Sequence, residues 1–141
     1  MVNKKIVTIF LLLFLITSTI SCVYADDDDR SYSITQALVD IIVDTNGMLH
    51  ITETFDYSFD GTFNGVYRDI PLKEGESISN IHVSAEGAYT KVEQHQEDGT
   101  QHIKIYLYSD AAKTQPISDT NVKVHISYDM KNVVTVYQDT A

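Results

Sequence analysis

Glu53 is the residue whose type least fits its surroundings. It shares a two-residue period with Leu49, Ile51, Phe55, Tyr57 and Phe59, so six side chains fall on one face of a strand and one of them is a carboxylate. A carboxylate inside an apolar stripe is costly unless a cation and hydrogen-bond donors meet it. The nearest cation along the chain is Arg68, in Gly65-Val66-Tyr67-Arg68-Asp69-Ile70-Pro71. Its guanidinium can hold a carboxylate in a two-point fork, which an ammonium cannot. The expectation is a structural ion pair between Glu53 and Arg68, with Arg68 folding the long 60–72 segment back over the sheet.

Other groups with chemical potential are fewer. His95 and His102 fall opposite each other if Asp98-Gly99 is a two-residue hairpin turn, and two imidazoles can share zinc or copper. No third ligand accompanies them, so no metal and no cofactor is expected. Tyr89, Tyr106 and Tyr108 share the outer face of the same hairpin beside Lys91, a surface suited to a protein or glycan partner. The serines and histidines stand outside any Gly-x-Ser-x-Gly elbow, and Asp60-Gly61-Thr62-Phe63-Asn64-Gly65 lacks the Gly-Lys-Ser/Thr ending of a phosphate loop. The chain is therefore read as non-enzymatic.

These residues need strands to position them. Ala37, Val39, Ile41 and Val43 alternate with Leu38, Asp40, Ile42 and Asp44, and Thr45-Asn46-Gly47 separates this run from the Glu53 strand. A two-residue Asn46-Gly47 loop would pair Val43 with His50 and mix the faces. A three-residue loop with Gly47 left-handed pairs Asp44 with Met48 and sets Val43, Ile41 and Ala37 opposite Leu49, Ile51 and Phe55. The second hairpin pairs Val92 with Ile105 and Thr90 with Leu107 inside, and Glu93 with Lys104 outside. Ile78 to Ala85 suits a short strand, Val122 to Met130 a longer one, and Val133 to Tyr137 a last one. The fold class is all-β, a single β-sandwich of about six to seven mostly antiparallel strands.

The first 25 residues stand apart from that domain. Lys4 and Lys5 precede an apolar run, Ile6 to Ile16, and Val23-Tyr24-Ala25 suits cleavage after Ala25. The run is too short to span a bilayer comfortably, which takes about 20 apolar residues. Cys22, the one cysteine, also follows Ile20-Ser21 in the manner of a lipidation site. The expected organisation is a signal peptide over 1–25, an acidic leader over 26–30 (Asp26 to Arg30) and the sandwich over 31–141. The net charge is −10, and without Lys4 and Lys5 it is 8 basic against 20 acidic residues, or −12. Such a surface repels nucleic acid, which is excluded as a partner.

Two stretches carry a resemblance. Asp44-Thr45-Asn46-Gly47-Met48-Leu49-His50-Ile51-Thr52-Glu53 resembles a D-x-x-G-x-L-x-V-T-E strand pair. Phe59-Asp60-Gly61-Thr62-Phe63-Asn64-Gly65-Val66-Tyr67-Arg68-Asp69-Ile70-Pro71 resembles F-x-G-x-F-x-G-x-Y-R-D-I-P. Together they look like the N-terminal extracytoplasmic domain of the YciQ-like predicted membrane proteins (domain of unknown function family 2207). The resemblance implies a signal peptide, an extracytoplasmic β domain, then transmembrane helices and a cytoplasmic tail, with no known activity. In such proteins the last strand leads into an acidic, aromatic stretch, and Tyr137-Gln138-Asp139-Thr140-Ala141 looks like its beginning. The domain is thus expected to be incomplete at its C-terminal end, with membrane attachment only through a segment after Ala141. The functional expectation is an interaction or sensing domain of a membrane-anchored cell-surface protein. The alternative is a small exported protein that binds a glycan, peptide or metal ion.

Overall fold

A computed structural model describes residues 30–134. The expected signal peptide, Cys22, Asp26 to Asp29 and the 135–141 end lie outside the described residues. Nine strands follow in order: β1 (Ser31–Val43), β2 (Leu49–Asp60), β3 (Thr62–Phe63), β4 (Gly65–Pro71), β5 (Ser77–Glu86), β6 (Tyr89–Glu97), β7 (Thr100–Tyr108), β8 (Ile117–Ser118) and β9 (Asn121–Lys131). Two of them are only two residues long, which leaves seven longer strands. No helix occurs among the described residues.

The strands form a four-stranded sheet in the order β1-β2-β9-β5 and a three-stranded sheet in the order β4-β7-β6. The short pair β3-β8 lies beside them. All pairings are antiparallel. Alternation explains the two layers. On β9, Val122, Val124, Ile126, Tyr128 and Met130 are buried, and on β7 so are Ile103, Ile105 and Leu107. These rows face each other and form one core with Leu49, Ile51, Tyr57, Phe59 and Ile70.

The first hairpin has the three-residue loop. Asp44 N–H donates to the Met48 carbonyl over 2.9 Å, Gly47 takes φ +82°, and Val43, Ile41 and Ala37 stand opposite Leu49, Ile51 and Phe55. The Asp44 carboxylate accepts from the backbone N–H of Asn46 and of Met48, which closes the turn. The second hairpin turns on Asp98 (φ +48°) and Gly99 (φ +73°), the left-handed pair that a two-residue primed turn requires. Its pairs are Val92–Ile105, Thr90–Leu107, Glu93–Lys104 and His95–His102.

The 60–72 segment folds back over the β2 face, with Arg68 on Glu53, and its middle is a strand that the sequence reading did not assign. Gly65–Pro71 is β4, an edge strand of the small sheet hydrogen-bonded along β7. Two irregularities were also not anticipated: the β1–β2 register shifts between Ile34 and Gln36, and the β5–β9 register between Ser79 and His82. The second follows from Asn80, which takes φ +54° and so leaves the ladder. Of the last expected strand, Val133 and Val134 follow β9 outside any strand.

Candidate functional site

β2 and β4 bring Glu53 and Arg68 together across the core. Arg68 Nε donates to Glu53 Oε2 over 2.7 Å and Nη2 to Oε1 over 2.6 Å, a two-point fork. Tyr128, on the neighbouring strand β9, donates its hydroxyl to the same Oε1 over 3.0 Å. Glu53 is 3% exposed, whereas the Arg68 side chain keeps 35% of its surface in water. Hydrogen bonding to Glu53 is the first reason that Arg68 is held above its usual pKa. Burial first, then the charge of Glu53, pushes the Tyr128 phenol up to about 12. Tyr128 was not singled out in the sequence. Its place in the β9 alternation marks it as a core residue, and only the β2–β9 register brings it near Glu53.

The outer face of the small sheet carries the polar and aromatic residues in cross-strand rows. One row is Asp69, His102, His95; the next is Tyr67, Lys104, Glu93; the next Gly65, Tyr106, Lys91; the last Tyr108, Tyr89. Tyr106 and Tyr108 stack with ring centroids 6.5 Å apart, and Tyr89 is 50% exposed opposite Tyr108. The fourth tyrosine of this face, Tyr67, is 68% exposed and was missed, because its place beside Lys104 depends on the non-local β4–β7 pairing.

Glu93 and Lys104 stand opposite each other as expected, but their charged groups are not within ion-pair distance. Glu93 is taken by Lys91 Nζ at 2.8 Å and by the Tyr106 hydroxyl at 3.0 Å. Those two bonds, Lys91 first, hold its carboxyl below the usual range. Lys104 turns to the rings instead: its Nζ lies 4.6 Å from the Tyr106 centroid and 5.5 Å from that of Tyr67. Tyr106, and after it Tyr67, hold its ammonium above the usual lysine value. Among the described residues no carboxylate lies within ion-pair distance of Lys104.

Gly65 makes room beside these rings. A Cβ there would collide with the Ile105 carbonyl, so no side chain rises from β4 beside Tyr106. The result is an open pocket of about 530 Å³ whose wall includes Arg30, Phe63, Tyr67, Lys104, Tyr106 and Tyr108. The Arg30 guanidinium lies 5.6 Å from the Phe63 ring centroid on its rim. The pocket thus sets two cations, Arg30 and Lys104, against flat aromatic faces, with no carboxylate within ion-pair distance of either among the described residues.

The histidines have other company. His95 and His102 stack with ring centroids 4.9 Å apart, and His102 Nδ1 lies 2.8 Å from Asp69 Oδ1. Among the described residues no group of three His, Cys, Asp or Glu side chains is placed to hold a metal. His50 Nδ1 lies 2.7 Å from Asp129, and His125 contacts Thr54 and Glu86.

Comparison with known proteins gives a family match. The family model described as "Predicted membrane protein (DUF2207) N-terminal domain" matches residues 33–141. No curated protein and no solved structure matches the chain.

Proposed function

We propose, from the premise that this chain belongs to the DUF2207 family of predicted membrane proteins, that it is a non-enzymatic extracytoplasmic interaction domain of a membrane-anchored cell-surface protein. Its contact surface is the outer face of the small sheet, and its partner is a glycan bearing carboxylates. The leader-like residues 1–25, followed by an acidic and strand-rich chain, support export. The non-enzymatic reading draws on Glu53. Its carboxylate is spent on Arg68 and Tyr128 inside the core and is not presented to a cleft.

One observation carries the partner class. Lys104 is an ammonium with no carboxylate within ion-pair distance among the described residues, set between Tyr67 and Tyr106, in a chain with 20 acidic and 10 basic residues. Exposed tyrosine rings offer flat apolar faces to the C–H faces of sugars, and the lysine offers a point charge to a carboxylate. The net charge of −10 disfavours anions over the surface as a whole, so a local cation among rings stands out.

The test is titration calorimetry of the full chain with an oligogalacturonate and with a neutral maltooligosaccharide. Binding of the first alone is expected, weakening with salt. Tyr106→Ala or Lys104→Ala should weaken it about tenfold with the unfolding midpoint little changed. Equal binding of both sugars, or affinity untouched by the two substitutions, would move the reading to a protein partner or to another face.

A further inference from the structure

The pocket beside Gly65 has a neighbour. An open cavity of about 310 Å³ lies between Tyr32 and Ile34 of β1, Tyr57 and Phe59 of β2, and the 63–67 segment. Phe63, Gly65, Val66 and Tyr67 belong to the walls of both. Phe63 joins them most closely. The Arg30 guanidinium lies 5.6 Å from its ring centroid, and Tyr32 meets the same ring edge-on at 5.9 Å. Arg30 and Tyr32 are two positions apart, so a cation of the first pocket stands one strand period from the lining of the second.

The second cavity differs in chemistry. The side chains that line it offer no polar atom except tyrosine hydroxyls. Its apolar surface also continues past Ile34. Val39, Ile41 and Val43 extend the row towards the first hairpin, opposite Glu53, Ile51 and Leu49 and on the same face. Those β2 residues are 3%, 7% and 8% exposed, whereas the β1 residues are 50%, 55% and 55% exposed. The Arg68–Glu53 fork accounts for the difference. It sets β4 over β2, and among the described residues no strand lies over β1. From Ile34 to Val43 the uncovered row runs about 30 Å. A continuous apolar surface rimmed by polar groups marks a binding groove.

We propose, resting on the reading that the outer pocket takes an acidic glycan, that the whole ligand is an acidic glycolipid. Its sugar acid lies by Arg30 and Lys104, and its hydrocarbon tail passes Phe63 and Gly65 into the cleft and along the β1 row. Two observations select this occupant. The first is continuity: the four shared residues make one site of two surfaces, with no side chain at Gly65 between them. The second is the division of charge. Both cations stand in the outer pocket, and the inward row of Tyr32, Ile34, Ala37, Val39, Ile41 and Val43 carries none. A neutral lipid would leave Arg30 and Lys104 unmatched. A free sugar acid would leave the apolar row in water. An anionic head on an apolar tail matches both halves, the tail supplying affinity by burial and the cations fixing its direction.

The experiment is a nuclear magnetic resonance titration of the full chain with three probes, each below its micelle concentration: glucuronate, octyl glucuronide and the neutral octyl glucoside. Octyl glucuronide is expected to bind about tenfold or more tighter than glucuronate, through burial of its tail. The Ile34 and Val66 methyls should shift with octyl glucuronide and not with glucuronate. Ile34→Ser should remove the advantage of the tail and leave glucuronate binding unchanged, whereas Lys104→Ala should weaken both acids. An octyl glucuronide no tighter than glucuronate would overturn this proposal and leave the acidic-glycan reading standing. So would a tail advantage that survives Ile34→Ser with the two methyls unmoved. Octyl glucoside binding as tightly as octyl glucuronide, or acid binding indifferent to Lys104→Ala, would refute the reading of the outer pocket and this inference with it.

Discussion

Breaking the Glu53–Arg68 fork from one side should cost more than breaking it from the other. Arg68→Ala leaves a carboxylate that is 3% exposed with only the Tyr128 hydroxyl as donor. Loss of one partner of a buried ion pair costs about 3–5 kcal/mol. Because the Arg68 side chain is 35% exposed, water can partly replace it, and about 3 kcal/mol is the expected figure. Glu53→Ala leaves instead a cation that can swing into solvent, so the charge penalty largely lapses and about 2 kcal/mol remains, from lost packing and lost bonds. The double variant strands neither charge, and the coupling between the sites should be about 1.5–2 kcal/mol. Urea unfolding of the four proteins measures all three quantities, with an unchanged slope as the check on two-state behaviour. Where the alanine variants fail to fold, Glu53→Gln and Arg68→Lys keep the volume and test the same coupling. A coupling below about 0.5 kcal/mol would refute the reasoning, since sites that far from interacting behave additively.

Tyr128 gives a second expectation, with a pH signature. Its phenol is raised from 10.0 to about 12, so the neutral form is favoured by folding; that stabilisation is complete below about pH 10 and lost as pH rises through 12. The unfolding free energy of the parent minus that of Tyr128→Phe should therefore shrink between about pH 10 and 12, by no more than about 3 kcal/mol, and a flat difference would contradict it. Two glycines form a third, internally controlled pair. Gly65→Ala forces a Cβ against the Ile105 carbonyl, whereas Gly47→Ala meets open space and is strained only by φ +82°. Thermal unfolding should show a loss of about 1 kcal/mol for Gly47→Ala and about 2–3 kcal/mol for Gly65→Ala.

The parts legible in the sequence are those where local pattern overdetermines the answer. The Gly47 loop was decided because only one loop length puts Val43, Ile41 and Ala37 opposite apolar partners, and Asp98-Gly99 admits little else. Glu53 announced itself by interrupting a stripe. β4 was harder to see as a strand. Its inward residues are Val66, Arg68 and Ile70, so the residue that makes the fork also breaks the apolar alternation, and Gly65 and Pro71 at its ends read as loop. Tyr67 stayed hidden for the same reason, being assigned to a face only once β4 pairs with β7. The exposure of β1 was beyond reach altogether. Alternation tells which side chains share a face, and nothing local tells whether a second layer lies above that face.

That last point gives the buried ion pair a purpose that its strength alone would not. An apolar pair of similar volume at positions 53 and 68 could stabilise the core as well or better. It would not, however, say where β4 belongs. The inward row of β1, with Val39, Ile41 and Val43, is as apolar as that of β2, so an all-apolar β4 could settle over either. Adjacent strands lie about 4.8 Å apart. A slide of β4 by that much would carry Arg68 from Glu53 to its cross-strand neighbour Val39, which has nothing to offer a guanidinium. Both charges would then be stranded, one of them buried. The fork thus discriminates between two packings that the hydrophobic effect leaves nearly equal, and by fixing β4 over β2 it keeps the row on β1 free. In the Glu53→Leu/Arg68→Leu double variant the expected result follows: stability near that of the parent, but exchange protection spread between β1 and β2 and the exposed row partly covered. A double-leucine variant whose β1 methyls stay as solvent-exposed as in the parent would show that loop lengths, and not the charges, place β4.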